Sequence, residues 1–157
     1  MTTTTLPSPH ITPDARPFWE GAARGELMLQ RCTACGHVRF LPAHLCPRCW
    51  AEGVAWFAAS GRGTVTTFTI VHRAPSAAFA ANAPYVVALV DLAEGPRMMA
   101  NVLGEGALQC AIGDAVEVIF EQRGEVALPQ FRLSNPAAES PGGTPSNNPN
   151  SGTGGEA

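Results

Sequence analysis

The sequence predicts a mainly β protein: a short N-terminal helix and a cysteine-held ribbon, then a small five-stranded barrel, then a disordered tail. Three observations predict it. Two Cys-x-x-Cys knuckles, Cys32/Cys35 and Cys46/Cys49, stand ten residues apart. Five β-type runs lie between Thr64 and Leu133. Residues 134–157 are mostly Gly, Pro, Ser and Asn, without an aromatic residue or any Leu, Ile or Val.

Along the chain, residues 1–16 are rich in Thr and Pro and read as a flexible lead-in. Pro17 to Gly25 reads as a short helix, because proline suits a first turn and glycine suits the residue after a last one. Phe18 and Trp19 are large for so short a segment. They either pack onto the neighbouring domain or line a partner surface or ligand cleft.

Leu27–Arg31 reads as a strand into the first knuckle, His37–Leu41 as a strand out of it, and Val54–Ala58 as a third. Gly36 follows Cys35 where the turn calls for a left-handed backbone. Pro47 stiffens the second knuckle by fixing φ. Ser60-Gly61-Arg62-Gly63 is a cluster of turn residues, which sets the expected domains at 17–60 and 61–133.

The second part opens with the β-branched run Thr64–His72, followed by Tyr85–Leu92 and Arg97–Leu103. Glu94-Gly95-Pro96 between the last two is a tight-turn signal. Asp114–Glu121 alternates Val116, Val118 and Phe120 with Glu117 and Glu121, and Ala127–Leu133 completes the set. Five short strands fit a small barrel better than a sandwich, which needs about seven. The tail, 134–157, lacks the apolar residues to bury a core.

Two knuckles joined by a short span most often hold one tetrahedral metal ion, each Cys-x-x-Cys turn aiming two sulfurs at it. Cys32, Cys35, Cys46 and Cys49 are therefore the expected ligands. A site closed by four thiolates has no open position and predicts structure, not metal catalysis. The spacing suits zinc and also iron. Cysteines in such knuckles, with no apolar run in residues 1–16, point to a reducing cytoplasm. No stretch reaches the length of a membrane span.

The chain has 157 residues, 45% of them hydrophobic and 15% charged, with a formal net charge of -3. That charge argues against a nucleic-acid binder, which needs a basic face. All ten cationic residues are arginine, so Schiff-base lysine chemistry and a lysine phosphate loop are excluded. Arginine can still grip phosphates through two parallel hydrogen bonds. No Ser-His-Asp spacing, His-Glu-x-x-His helix or Gly-x-x-x-x-Gly-Lys loop is present. Cys110 lies between apolar residues with no base beside it and reads as a buried filler, and His37 and His44 read as ribbon surface.

Several stretches together resemble a known family: Phe18-Trp19-Glu20-Gly21, Gly25-Glu26-Leu27, Leu29-Gln30-Arg31-Cys32, Cys35-Gly36 and Phe40-Leu41-Pro42. The likeness continues through Cys46-Pro47-x-Cys49, Gly61-Arg62-Gly63-Thr64-Val65, Pro84-Tyr85 and Gly113-Asp114-x-Val116. The chain resembles the acyl-CoA-associated family in which a rubredoxin-like zinc ribbon precedes an OB-fold domain. The resemblance implies a non-catalytic accessory subunit carrying one structural zinc. Its partner would be a thiolase-fold or lipid-transfer-protein-like enzyme, such as a thiolase, acyltransferase or steroid side-chain aldolase; other members accompany acyl-CoA hydratases. This chain would be the stand-alone form. The helix and ribbon would dock the partner, with Phe18 and Trp19 as anchors, while the OB domain helps hold the CoA thioester. Arg62, His72, Arg73 and Arg97 are the expected CoA contacts at barrel edges. Two rival readings stay open. One is a single-strand nucleic-acid binder that stacks bases on Phe68, Tyr85, Phe120 and Phe131. The other is a rubredoxin-like electron carrier with iron.

Overall fold

The computed structural model describes residues 6–134. Of the tail expected over 134–157, Ser134 is described, its N–H donating to the Ala115 carbonyl at 2.9 Å, and the rest lies outside the described residues.

Helix α1, Arg16–Ala23, follows a single 3-10 turn, Pro13–Ala15. It buries Phe18, Gly21 and Ala22, the i, i+3, i+4 stripe of an amphipathic helix. Gly21 is small because Met28 and the Glu26 carbonyl occupy the place a side chain would take. The helix ends where Gly25 turns left-handed at φ 78°.

The ribbon is a three-stranded antiparallel sheet in the order β2-β1-β3: β1 Met28–Cys32, β2 Val38–Arg39, β3 Val54–Ala58. Gln30 pairs with Arg39 and Cys32 with Val54. The strand expected over His37–Leu41 shrinks to two residues. Phe40 leaves the ladder to pack edge-on against Phe18, with ring centroids 5.8 Å apart. Pro42 then has no N–H with which to resume it. Buried Arg39 ties the knuckle loop back to the sheet. It donates to Gln30 Oε1 at 2.6 Å, to the Leu45 carbonyl at 2.9 Å and to the Ala43 carbonyl.

The barrel strands are β4 Arg62–Val71, β5 Tyr85–Leu92, β6 Arg97–Val102, β7 Ala115–Arg123 and β8 Val126–Leu133. They close in the order β4-β5-β6-β8-β7, the five-stranded closed architecture that the sequence predicts. Neighbours are antiparallel except β6 and β8, which meet in parallel at Val102 and Phe131. β4 is long enough to pair with both β5 and β7, and its register shifts between Val65 and Thr67, where it bends around the barrel. β5 alternates strictly, burying Val86, Ala88, Val90 and Leu92. Two connections carry 3-10 turns that the sequence pattern does not announce, Ala77–Asn82 and Ala107–Gln109.

β3 ends at Ala58 and β4 begins at Arg62, yet the core does not stop between them. Phe18, Leu27 and Leu29 belong to one apolar cluster with Val65, Val90 and Phe131 of the barrel.

Candidate metal centre and junction cleft

β1 delivers Cys32, and the turn after it brings Cys35 back beside it: the Gly36 N–H donates to the Cys32 carbonyl at 2.9 Å. The second knuckle repeats the turn, with the Trp50 N–H donating to the Cys46 carbonyl at 2.9 Å. The four sulfurs lie within 4.8 Å of one another. Cys32 and Cys49 are 3.6 Å apart, Cys35 and Cys46 3.7 Å. Four thiolates about 2.3 Å from one tetrahedral ion would sit roughly 3.8 Å apart, so the set fits a metal. Cys32 and Cys46 are buried while Cys35 and Cys49 are exposed.

Charge makes the same point. Burial opposes ionisation of Cys46, but the Arg48 and Cys49 backbone N–H groups and the neighbouring thiols outweigh it and bring it down to about 6. The Cys35 backbone N–H leads the lowering of Cys32. The Ala51 N–H favours a Cys49 thiolate, yet Cys35, burial, Cys32 and Cys46 outweigh it and push this thiol up to about 12. The sulfurs compete for negative charge, and a cation at their centre removes the competition. His44 faces Glu52 at 3.9 Å, both well exposed, and neither histidine of the ribbon joins the sulfur group.

Cys110 is buried in the apolar cluster, where burial, then the nearby Asp114 carboxylate, raises its thiol. It is a filler, as its sequence context indicates.

The four expected CoA contacts do not form one constellation. Arg62 opens β4, and its carbonyl accepts from Ala93 in the β5–β6 turn, close to Arg97 at the start of β6. His72 and Arg73 lie past the other end of β4, beside the Val71–Tyr85 pair. A ten-residue strand rising about 3.3 Å per residue separates the two pairs. Arg97 is also engaged: it donates to Asp91 through Nε at 2.6 Å and Nη2 at 3.0 Å, and holds that carboxyl below its ordinary range.

Of its two expected positions, Phe18 takes the packed one. It is 6% exposed, stacked edge-on against Trp19 at 5.0 Å and packed on Phe40, because it plugs the junction of ribbon and barrel. Trp19 stays half-buried. Phe131 lies in the core, Phe68 and Phe120 pack partly buried against it, and Tyr85 lines the cleft described next.

Phe18 and Trp19 do line a cleft. About 570 Å³ opens between α1, the ribbon segment Phe40–Pro42 and strands β5, β6 and β8. A second hollow of about 430 Å³ adjoins it, sharing Phe79, Tyr85, Asn101 and Arg123. Arg123, at the end of β7, is the residue that sequence reasoning missed. Its Nη2 donates to both Glu121 oxygens at 3.0 and 3.1 Å, and its guanidinium carbon sits 5.8 Å from the Phe79 ring centre. The signal was the spacing of Glu121 and Arg123, two apart on one strand, which places both on one face.

Two family models match the chain, each by its description a part of ChsH2: the rubredoxin-like zinc ribbon domain over residues 19–55 and the C-terminal OB-fold domain over 56–121. This chain belongs to the ChsH2 family of zinc-ribbon and OB-fold proteins. A solved structure of an Ltp2-ChsH2(DUF35) aldolase superposes with a TM-score of 0.71 at 35% identity, covering 80% of this chain and 98% of that one. A probable enoyl-CoA hydratase alpha subunit of Thermomonospora curvata is 37% identical over 135 residues. The match spans 85% of this chain and 42% of that relative. A DUF35 domain-containing scaffold protein of Methanothermobacter thermautotrophicus is 33% identical over 100 residues, 63% of this chain and 74% of its own length. Within ChsH2-family architecture, the boundary between the two matched models falls inside β3, a strand that completes the ribbon sheet. Among the described residues no helix is long and apolar enough to cross a membrane.

Proposed function

We propose that this chain is a non-catalytic accessory subunit, in the cytoplasm, of an enzyme that makes or breaks carbon–carbon bonds on CoA thioesters. The partner is a thiolase-fold or lipid-transfer-protein-like enzyme, and the assembly is a hetero-oligomer. One observation carries the reading: the ribbon and barrel match 98% of a chain in a solved Ltp2-ChsH2(DUF35) aldolase. The residues agree with it. The four-cysteine group leaves no ligand position for substrate, and the one thiol outside it is buried and raised. Nucleophile and base then come from the partner.

The structural metal is zinc, whose borderline-soft, redox-silent character suits a closed thiolate cage. The Phe18–Trp19 junction, with Trp19 partly exposed, presents the docking surface. The cleft beside it takes the apolar part of the thioester, and the exposed His72 and Arg73, just past the end of β4, take the anionic part. Holding the remote portion of a long substrate supplies binding energy for placing the reacting carbonyl. Arg62 provides a second cationic point at the far end of the barrel; Arg97, paired with Asp91, contributes less.

The test is purification from the native host at low salt, with metal analysis. The expected result is a colourless protein with one zinc per chain that co-purifies with an acyl-CoA enzyme whose activity or stability depends on it. A red protein containing iron would overturn the zinc assignment. A lone chain that alters no such enzyme would overturn the accessory role.

A further inference from the structure

We infer that Arg123, held by Glu121 and Gln130, is a recognition residue for a neutral carbonyl oxygen on an otherwise apolar ligand in the junction cleft. The inference rests on the cleft as the thioester site and adds the chemistry of the acyl group it selects.

The cluster is built and fixed. Gln130, 7% exposed, accepts the Asn101 backbone N–H at 2.8 Å and donates through Nε2 to Glu121 Oε2 at 3.0 Å. Glu121 in turn receives Arg123 Nη2 on both oxygens. The Arg123 side chain is only 13% exposed and lines both hollows, at the point where they meet. An arginine has five N–H donors, and here only those on Nη2 are engaged among the described residues. Among the described residues Nε has no partner and is closed off from solvent, so Nη1 is the donor left for the cleft. A donor left unsatisfied is costly, and in a cleft the natural complement of Nη1 is an acceptor brought by the ligand.

The charge of the cluster selects which acceptor. Glu121 already neutralises Arg123, so a carboxylate or phosphate entering here would meet a second negative charge at close range. A ketone or ester oxygen accepts the free donors without that repulsion. The surrounding wall, including Phe18, Trp19, Phe79 and Leu128, suits hydrocarbon on either side of that oxygen. This separates the cluster from His72 and Arg73, which are exposed and have no carboxylate partner among the described residues.

The test uses the full chain labelled with ¹⁵N, titrated separately with 2-undecanone and decanoate while the arginine Nε–H resonances are followed. The expected result is saturable ketone binding that shifts the Arg123 signal, about tenfold tighter than decanoate. Arg123→Met should weaken the ketone about tenfold. Glu121→Gln, which leaves the guanidinium uncompensated, should reverse the preference toward decanoate; dispersed spectra verify that each variant is folded. Ketone binding with an unmoved Arg123 signal, equal or tighter decanoate binding to the unaltered chain, or no ketone binding would each overturn the inference. Coenzyme A titrated onto the same sample reads the thioester proposal on its own. Binding of coenzyme A without ketone recognition removes only the Arg123 role, and the converse removes only the CoA role.

Discussion

The two knuckles carry different residues at the left-handed position after the second cysteine, and that difference is a matter of backbone. After the first pair of cysteines the left-handed residue is Gly36, at φ 73°; after the second it is Trp50, at φ 62°. A non-glycine residue in that region costs about 1–2 kcal/mol through its Cβ. Trp50→Gly should therefore stabilise the protein, by roughly 1 kcal/mol once the extra chain entropy of glycine is deducted. Urea unfolding of the metal-loaded protein would show it as a higher midpoint at unchanged slope; a lower midpoint would mean that the indole, 74% exposed, has contacts outweighing the strain. Gly63 gives the opposite case. Its φ is ordinary, but a Cβ there would lie 2.5 Å from Val90 Cγ1 and 2.8 Å from the Asp91 carbonyl oxygen. Since backbone cannot swing away, Gly63→Ala should destabilise by about 1–3 kcal/mol. A melting temperature within a degree of the parent's would show that β4 and β5 can part without cost.

The ribbon is held together mainly by its metal and its seam with the barrel. β2 has two residues, and the loops on either side are short on buried apolar groups. Chelating the metal, or changing Cys46 to Ser, should therefore unfold residues 32–53 first, because metal-binding energy here is folding energy. Amide exchange would show protection lost in those loops and kept in β5, whose alternate residues are all buried. Acid should do the same, since protons and metal compete for the four sulfurs and affinity falls as pH falls. Protection in the loops that survives chelation would assign their stability to Arg39 and its hydrogen bonds instead. These elements also show what sequence can convey. The knuckles and β5 are legible because their signals are local, a fixed spacing in one and a period of two in the other. β2 is overestimated because its end is set by Phe40 turning toward Phe18, a contact across 22 residues. The cleft is invisible for the same reason: α1, the segment Phe40–Pro42 and three barrel strands meet only in three dimensions. Arg123 reads as a strand-end charge until Phe79 and Gln130 are placed around it.

Across the whole molecule, one core serves both parts, and Phe18 is where they join. It touches Trp19 on its own helix and Phe40 of the ribbon, and it belongs to the cluster containing Phe131 of the barrel. Trp19 sits next to it in sequence but faces the cleft and stays partly open to water. The two neighbours should therefore fail differently. Phe18→Ala removes a buried ring from the junction and should cost about 3–5 kcal/mol, unfolding ribbon and barrel together since neither retains a complete core. Trp19→Ala should cost less stability, because part of its surface is already solvated. Its loss should appear in binding, as weaker capture of the proposed partner enzyme or of the proposed cleft ligand, since aromatic residues are frequent anchors of such surfaces. Parallel denaturation and pull-down measurements on both variants decide the matter. If Trp19→Ala destabilises as much as Phe18→Ala and binds normally, the junction is only a core and the docking surface lies elsewhere. If it binds poorly while remaining folded, the junction both unites the two parts and presents them.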